Sequence, residues 1–152
     1  MKTALTTTIF LTFLLLVLVL PILQPVAAYS SAQISNVQFN YQKYLNGVYI
    51  PQGTLVVVSA TIYNGGSQVT TFSVCPSQRV GYNGGGYGDP ENFACTSITL
   101  GTICSSTTGV VSIPTTAYAS ASGELLMRLS VYDPTGTLLT TSAWYPVTYI
   151  VP

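Results

Sequence analysis

After its N-terminal segment, the chain alternates apolar and polar residues with a period of two. This period is typical of β-strands that bury one face. The strongest segment is Leu55–Tyr63, in which both faces are largely apolar, so a central strand is predicted there. No stretch after Tyr29 repeats its apolar residues every 3.6 positions over a useful length, and the pattern therefore predicts an all-β domain.

Glycine, proline and asparagine residues divide the chain into further strands. Asn64-Gly65-Gly66 follows the central strand and offers the positive φ that a tight turn needs, so Val69–Val74 is predicted to return as its hairpin partner. The glycine-rich run Gly81–Gly88 is predicted to be a long loop, because it has too few side chains to pack as a strand. Shorter strands are predicted at Ser97–Leu100 and Val110–Ile113.

The C-terminal part of the chain is predicted to form a β-hairpin. Glu124–Tyr132 is joined to Thr137–Val151 by Asp133-Pro134-Thr135-Gly136, whose proline and glycine match the second and fourth positions of a type I turn. Pro146 has no backbone N–H to donate, so the outer part of the last strand is predicted to be an edge or a bulge. Roughly seven to nine short strands with frequent turns predict an immunoglobulin-like or jelly-roll-type β-sandwich spanning residues 29–152 as one domain.

Residues 1–28 have the pattern of a secretory signal peptide. Lys2 precedes the apolar run Ile9–Leu20, and Val26-Ala27-Ala28 supplies the small residues of a cleavage site between Ala28 and Tyr29. The protein is therefore predicted to be secreted and to act at the cell surface.

Two other interpretations of the N-terminal segment stay open. Leu5–Leu23 is close to the ~20 residues that a membrane helix needs, so the segment is alternatively an uncleaved anchor. Lys2-Thr3-Ala4 also resembles an archaeal pilin-type processing site, which would retain the apolar helix in the mature protein.

Charged residues make up 5% of the chain, against about 25% in an ordinary soluble domain. Beyond residue 28, the chain has three cationic side chains and four carboxylates, which gives a net charge of −1. This inventory excludes the basic surface that nucleic acid or an anionic membrane requires. Contact with a membrane is expected only through the N-terminal segment, if that segment is not cleaved. The three cations are Lys43, Arg79 and Arg128.

The residue inventory also argues against catalysis. The chain has no histidine, which removes Ser–His and Cys–His nucleophiles and histidine-based metal sites. Asp89 and Glu91 lie beside the glycine-rich loop, where a solvated turn is favoured over a calcium site that would also use Asn92. We therefore expect no enzymatic activity, no cofactor and no metal.

Three cysteines are present in this exported chain, namely Cys75, Cys95 and Cys104. Disulfides persist outside the cytosol, and an odd number predicts one bridge plus one thiol that is free or joined to another chain. Cys75–Cys95 is favoured over Cys95–Cys104, because closing the longer loop removes more conformational entropy from the unfolded chain.

Eleven tyrosines are a further unusual feature. Tyrosine presents a rigid apolar face with a polar tip, so those near loops can form an adhesive or sugar-stacking surface. The alternative is that tyrosine simply suits the surface of strands. The tyrosines in or near predicted loops are Tyr41, Tyr44, Tyr49, Tyr82 and Tyr87.

The stretch GTLVVVSATIYNGGSQVTTFSV, residues Gly53–Val74, resembles the opening strand–turn–strand of the immunoglobulin-like, CARDB-type adhesion domains of archaeal secreted proteins. More loosely, an exported, charge-poor sandwich with an extra N-terminal strand is similar to subunits of crenarchaeal surface filaments, the threads and bundling pili. That resemblance implies that the N-terminal strand of each subunit completes a sheet of the next.

The leading hypothesis is an extracellular structural or adhesive protein, a filament or coat subunit that self-associates by strand exchange. Val37, Phe39 and Tyr41 alternate with polar residues in a half-buried first strand, Ala32–Tyr41, and would be the anchors of a donated strand. The alternative is a monomeric secreted module that recognises glycans or another surface protein through its Tyr/Gly-rich loops. A virion structural protein would have the same chemistry.

If the small residues before Tyr29 are a cleavage site, N-terminal sequencing of the secreted protein should start at Tyr29. A mature start at Ala4 or Leu5 would instead place the protein in the pilin class.

Overall fold

The computed structural model describes residues 30–42, 49–82, 84–102, 107–117 and 122–151. These residues form strands joined by turns and contain no helix, which confirms the predicted β-sandwich. The predicted signal segment, with the predicted cleavage site at Ala28 and Tyr29, and the third cysteine, Cys104, lie outside the described residues. The strands are β1 (Ala32–Tyr41), β2 (Tyr49–Pro51), β3 (Leu55–Asn64), β4 (Thr70–Gly81), β5 (Glu91–Asn92), β6 (Thr96–Leu100), β7 (Thr108–Thr116), β8 (Gly123–Tyr132), β9 (Leu138–Thr141) and β10 (Tyr145–Val151).

The strands form two sheets. The smaller sheet has three antiparallel strands in the order β1-β3-β7. The larger sheet has seven strands, with β8 and β4 at its centre and β10 and then β2 on the far side of β8. Strands β5 and β6 both pair with β4, while β9 pairs with the end of β8 that β10 does not reach. Only the short contact between β2 and β10 is parallel among the described pairs.

The core lies between the two sheets and is built from the inward-facing residues of the central strands. The prediction for the central strand is confirmed, because Val56, Val58, Ala60 and Ile62 of β3 are all buried. They meet inward-facing residues of the larger sheet, which alternate with outward-facing ones along β4 and β8. The residues contributed by those two strands are Phe72, Val74, Val80, Leu125, Met127, Leu129 and Val131.

The predicted hairpin between the central strand and Val69–Val74 is wrong. Strand β3 pairs with β1 and β7, while β4 belongs to the other sheet. The Asn64 side chain is fully buried, and its amide donates hydrogen bonds to the carbonyls of Gln68 and Gly101 at 2.9 and 3.0 Å. Because both edges of β3 are already paired, the Asn-Gly-Gly segment carries the chain across to the second sheet instead of turning it back.

The C-terminal hairpin is only partly as predicted. The turn is confirmed, with the Gly136 N–H donating to the Asp133 carbonyl at 3.0 Å. The strand predicted at Thr137–Val151 is divided into β9 and β10, because Ser142 interrupts it by accepting a hydrogen bond from the Leu129 N–H on its hydroxyl. The predicted bulge is also confirmed, since the pairing of β10 with β8 shifts register between Pro146 and Thr148.

Candidate binding surface

All six charged residues that the structure describes lie in the larger sheet or in the loops that leave its strands. None of the described residues of the three-stranded sheet is charged, and its outer face carries neutral side chains such as the largely exposed Val110. The described charges therefore belong to the larger sheet and its loops, and Arg79, Glu124 and Arg128 point outward from that sheet. The six residues are Arg79, Asp89, Glu91, Glu124, Arg128 and Asp133.

The middle of the outer face of the larger sheet carries a stack of cations and aromatic rings. Arg79 of β4 and Arg128 of β8 both point outward, and their guanidinium carbons lie 4.3 and 4.6 Å from the ring centroid of Trp144. Arg79 also lies 3.9 Å from the centroid of Tyr87. Such cation–π contacts are each worth about 0.5–1 kcal/mol when exposed and about 2 kcal/mol when desolvated. These four residues are called the Arg–Trp stack below.

The Arg–Trp stack covers apolar surface on what would otherwise be the solvent side of the sheet. Leu126 pairs with Arg79 on one side and Pro146 on the other, and it faces outward with them. It is nevertheless only 7% exposed, although it does not belong to the core between the sheets. The stack therefore forms a small second cluster, which holds Trp144 and Tyr87 in place on the outer face.

One end of the outer face holds a small pocket of about 170 Å³. Strand register places Glu124 directly beside Gly81 on one side and Tyr149 on the other, and Tyr149 lies beside Tyr49 in turn. Side chains opposite each other in a sheet share a face, so these residues form a row across four strands. The pocket is lined by Gly81, Tyr82, Gly85, Gly86, Tyr87, Glu124 and Tyr149; it is called the tyrosine pocket below.

The glycine-rich loop that closes this pocket is confirmed where the structure describes it, and it is tightly folded. The Gly88 N–H donates to the Val80 carbonyl at 2.8 Å, and the Tyr82 N–H donates to the Gly86 carbonyl at 3.2 Å. A Cβ added at Gly81 would lie 3.3 Å from the Tyr87 ring, so the absence of a side chain at position 81 lets that ring pack there. The loop thereby presents Tyr82 and Tyr87 with about half of each exposed.

The other end of the outer face is a groove of about 410 Å³ beside the disulfide. The predicted Cys75–Cys95 bridge is confirmed, and it joins β4 to the segment between β5 and β6. The Ser77 hydroxyl donates to the Asn92 side-chain oxygen at 2.7 Å in the same groove. A disulfide of this kind is typical of an oxidising, extracytoplasmic compartment. The groove is lined by Ser73, Cys75, Ser77, Asn92, Phe93, Cys95, Tyr132, Asp133, Pro134 and Gly136.

The three predicted strand-donor residues lie on β1, at the edge of the smaller sheet. Val37, Phe39 and Tyr41 are half-buried and pack against the core, as their alternation predicted. The alternation is interrupted by a bulge at Asn36, which has a positive φ of 51°. The Tyr41 hydroxyl donates to the Val147 carbonyl at 3.0 Å, which ties β1 to the other sheet.

The calcium alternative at Asp89, Glu91 and Asn92 gains no support from the described residues. Among them, no three histidine, cysteine or acidic side chains are grouped as metal ligands would be. Glu91 instead accepts a hydrogen bond from the Gln78 side-chain amide at 2.6 Å. The described part of the chain also has no helix that is long and apolar enough to span a bilayer.

Sequence reasoning identified Tyr82 and Tyr87 but missed Glu124, Tyr149, Trp144 and the two arginines as parts of one surface. These residues are far apart along the chain, and only the pairing of β4, β8 and β10 brings them together. The alternation of β8 indicated which of its residues share a face, but nothing in the sequence indicated its neighbours.

The sequence matches no protein-family model and no curated protein at a significant level. Among solved structures, it is similar to the alkylpurine DNA glycosylase AlkC of Pseudomonas fluorescens, with a TM-score of 0.53, 13% identity and coverage of 80% of this chain and 30% of that one. It is also similar to the β-glucosidase EmGH1 of Erythrobacter marinus, with a TM-score of 0.50, 14% identity and coverage of 81% and 16%. The chain thus spans less than a third of either protein, and at this identity the likeness concerns the fold alone.

The Asp133 turn predicts a pH dependence of stability. Hydrogen bonds from the Thr135 hydroxyl and then the Thr137 N–H hold the pKa of Asp133 below its ordinary value of 3.8. A lowered pKa in the folded state means that these bonds stabilise the fold above the unfolded pKa, and that this stability is lost as the pH falls through the folded pKa.

Asp133→Asn keeps the acceptor oxygen but cannot ionise. When the pH is lowered from about 5 to about 2, we therefore expect the free energy of unfolding to decrease less for this variant than for the wild type. Urea unfolding across that range measures the difference. Thr135→Val, which removes the hydroxyl donor, should reduce the pH dependence of the wild type. Equal pH dependence in all three proteins would contradict the assignment.

Proposed function

We propose that this protein is an exported adhesive protein of the cell surface, which acts by binding and not by catalysis. Its binding surface is the outer face of the larger sheet. The observation that carries the proposal is that this face groups two arginines and Glu124 with Trp144 and the tyrosines of the tyrosine pocket.

The form of this face suits recognition of a ligand. The Arg–Trp stack immobilises Trp144 and Tyr87 before any ligand arrives, which lowers the entropy lost on binding. Tyrosine, tryptophan and arginine are also the side chains that contribute most often to binding energy at interfaces. The tyrosine pocket and the groove beside the disulfide provide concave sites on either side of the stack.

Export is supported by two independent features. The Cys75–Cys95 disulfide belongs to a class of bond that is rare in the reducing cytosol. Residues 1–28 have the charge and hydrophobicity pattern of a signal segment.

The adhesive function is tested by measuring how the labelled mature protein binds to intact cells and isolated envelopes of the source organism. We expect Trp144→Ala and Tyr132→Ala to weaken binding by about tenfold or more, the effect of removing an interface hot spot. Val110→Ser and Leu55→Ser, exposed positions on the three-stranded sheet, are the matched controls and should bind like the wild type.

Two results would contradict the adhesive function. One is a wild-type protein that does not bind to cells or envelopes. The other is binding that the two control substitutions weaken as much as the outer-face substitutions do. Urea unfolding of each variant separates lost binding from lost folding.

Assembly into a filament by exchange of β1 is a second candidate function. The observation that favours it is that β1 is an edge strand. Its apolar residues pack against the side of the core but stay only half-buried. A neighbour's β1 could form the same contacts, including the bond from Tyr41 to Val147. The uncharged outer face of the three-stranded sheet would not oppose the stacking of identical subunits by like-charge repulsion.

Strand exchange is tested by deleting residues 29–42 from the mature protein. We expect the truncated protein to fold poorly and not to polymerise, and to regain its fold when the peptide Ala32–Tyr41 is added in trans. A peptide with Val37, Phe39 and Tyr41 replaced by serine is the control and should not rescue folding. Light scattering and electron microscopy report assembly. Full-length mature protein that stays monomeric at high concentration and after heating would exclude the filament.

A further inference from the structure

We infer that the tyrosine pocket binds an alkylammonium group. This inference rests on the proposed adhesive function and adds the chemical class of the ligand. It is carried by three observations on the described residues: the size of the pocket, its aromatic walls and the free carboxylate of Glu124.

The pocket volume fits a small group and not an extended ligand. Its 170 Å³ is below the roughly 300–1,000 Å³ of sites that enclose drug-sized molecules. A cavity of about 150 Å³ admits a molecule of the size of benzene. A trimethylammonium or methylammonium group therefore fits, while the rest of the ligand would lie outside the pocket.

The walls of the pocket attract cations. Tyr82, Tyr87 and Tyr149 all line it, and the face of an aromatic ring carries negative electrostatic potential. The neighbouring Tyr49 packs edge-on against Tyr149, with the two ring centroids 6.3 Å apart. Aromatic side chains grouped around a small pocket are the arrangement by which proteins recognise organic ammonium ions.

Glu124 supplies a full negative charge in the same pocket. Within the described residues, its carboxylate makes no hydrogen bond or ion pair, although two arginines lie further along the same face. One carboxylate is too few for Ca²⁺, which takes six to eight oxygen ligands. One negative charge is matched by one ammonium group, and a trimethylammonium group, which has no N–H to hydrate, also suits aromatic walls.

Arg79 limits where the cation can lie. Its guanidinium already covers Tyr87 at 3.9 Å, and it does not line the pocket. The bound ammonium group is therefore expected against Tyr82, Tyr149 and Glu124, on the side of the pocket away from the Arg–Trp stack.

The test is a titration of the mature protein with tetramethylammonium, methylammonium, choline and 3,3-dimethylbutan-1-ol, which is the uncharged analogue of choline, followed by NMR or tyrosine fluorescence. We expect the ammonium ions to bind with a dissociation constant of about 1 mM, as suits so small a group, and the alcohol to bind at least about tenfold more weakly. Glucose is titrated as a neutral sugar for comparison.

Substitutions locate the binding site. Glu124→Gln keeps the shape and removes the charge, and Tyr149→Leu removes an aromatic wall, so each should weaken binding of tetramethylammonium by about tenfold. The matched controls are Glu91→Gln and Tyr63→Leu, which change the same residue types outside the pocket and should leave binding unchanged.

Several outcomes would overturn the inference. These are equal binding of the ammonium ions and the uncharged alcohol, preferential binding of glucose, or full binding by Glu124→Gln. If the protein binds to cells through the outer face but the pocket does not bind ammonium ions, the inference alone fails. If the pocket takes ammonium ions but the protein does not bind to cells, the adhesive function alone fails.

Discussion

The pairing of β4 with β8 is the constraint on which both the core and the candidate binding surface depend. Nine residue pairs run in register from Ser73 opposite Tyr132 to Gly81 opposite Glu124. Because side chains alternate between the faces of a sheet, a slip of one residue would exchange the two faces of the slipped strand. A slip of β4 would turn Phe72 and Val74 toward solvent and direct Arg79 into the core, where an unpaired charge costs several kcal/mol.

The same register determines the chemistry of the outer face. It places Arg79 and Arg128 on neighbouring strands, where Trp144 can contact both guanidinium groups. At one end it brings Glu124 beside Gly81, whose missing side chain leaves room for Tyr87. The outer face of the larger sheet thus carries Arg79, Arg128 and Glu124, while the described residues of the three-stranded sheet carry no charge. Under the proposed adhesive function, the outer face with these charges is the one that contacts the ligand.

Much of the fold could be predicted from local patterns. The central strand, the Asp133 turn, the glycine-rich loop and the Cys75–Cys95 bridge are all present as expected. The strand, the turn and the loop depend on residues close in sequence, and the bridge was chosen among only three cysteines. The predicted hairpin after Asn64 is wrong for the opposite reason, since a turn signal reports that the chain bends but not which strand it meets next. The break at Ser142 could not be predicted for the same reason. It depends on hydrogen bonds between Ser142 and Leu129, which lies on the neighbouring strand β8.

The sequence by itself determined that the domain is all-β, that the longer strands alternate buried and exposed residues, that charged residues are few and that histidine is absent. These properties follow from residue types and their period, which act over a few neighbouring positions. Only the tertiary structure decided that β3 and β4 belong to different sheets, and that Tyr82, Tyr87, Glu124 and Tyr149 line one pocket. The physical reason is that strand pairing joins residues far apart in the chain, and local patterns carry little information about which pairs form.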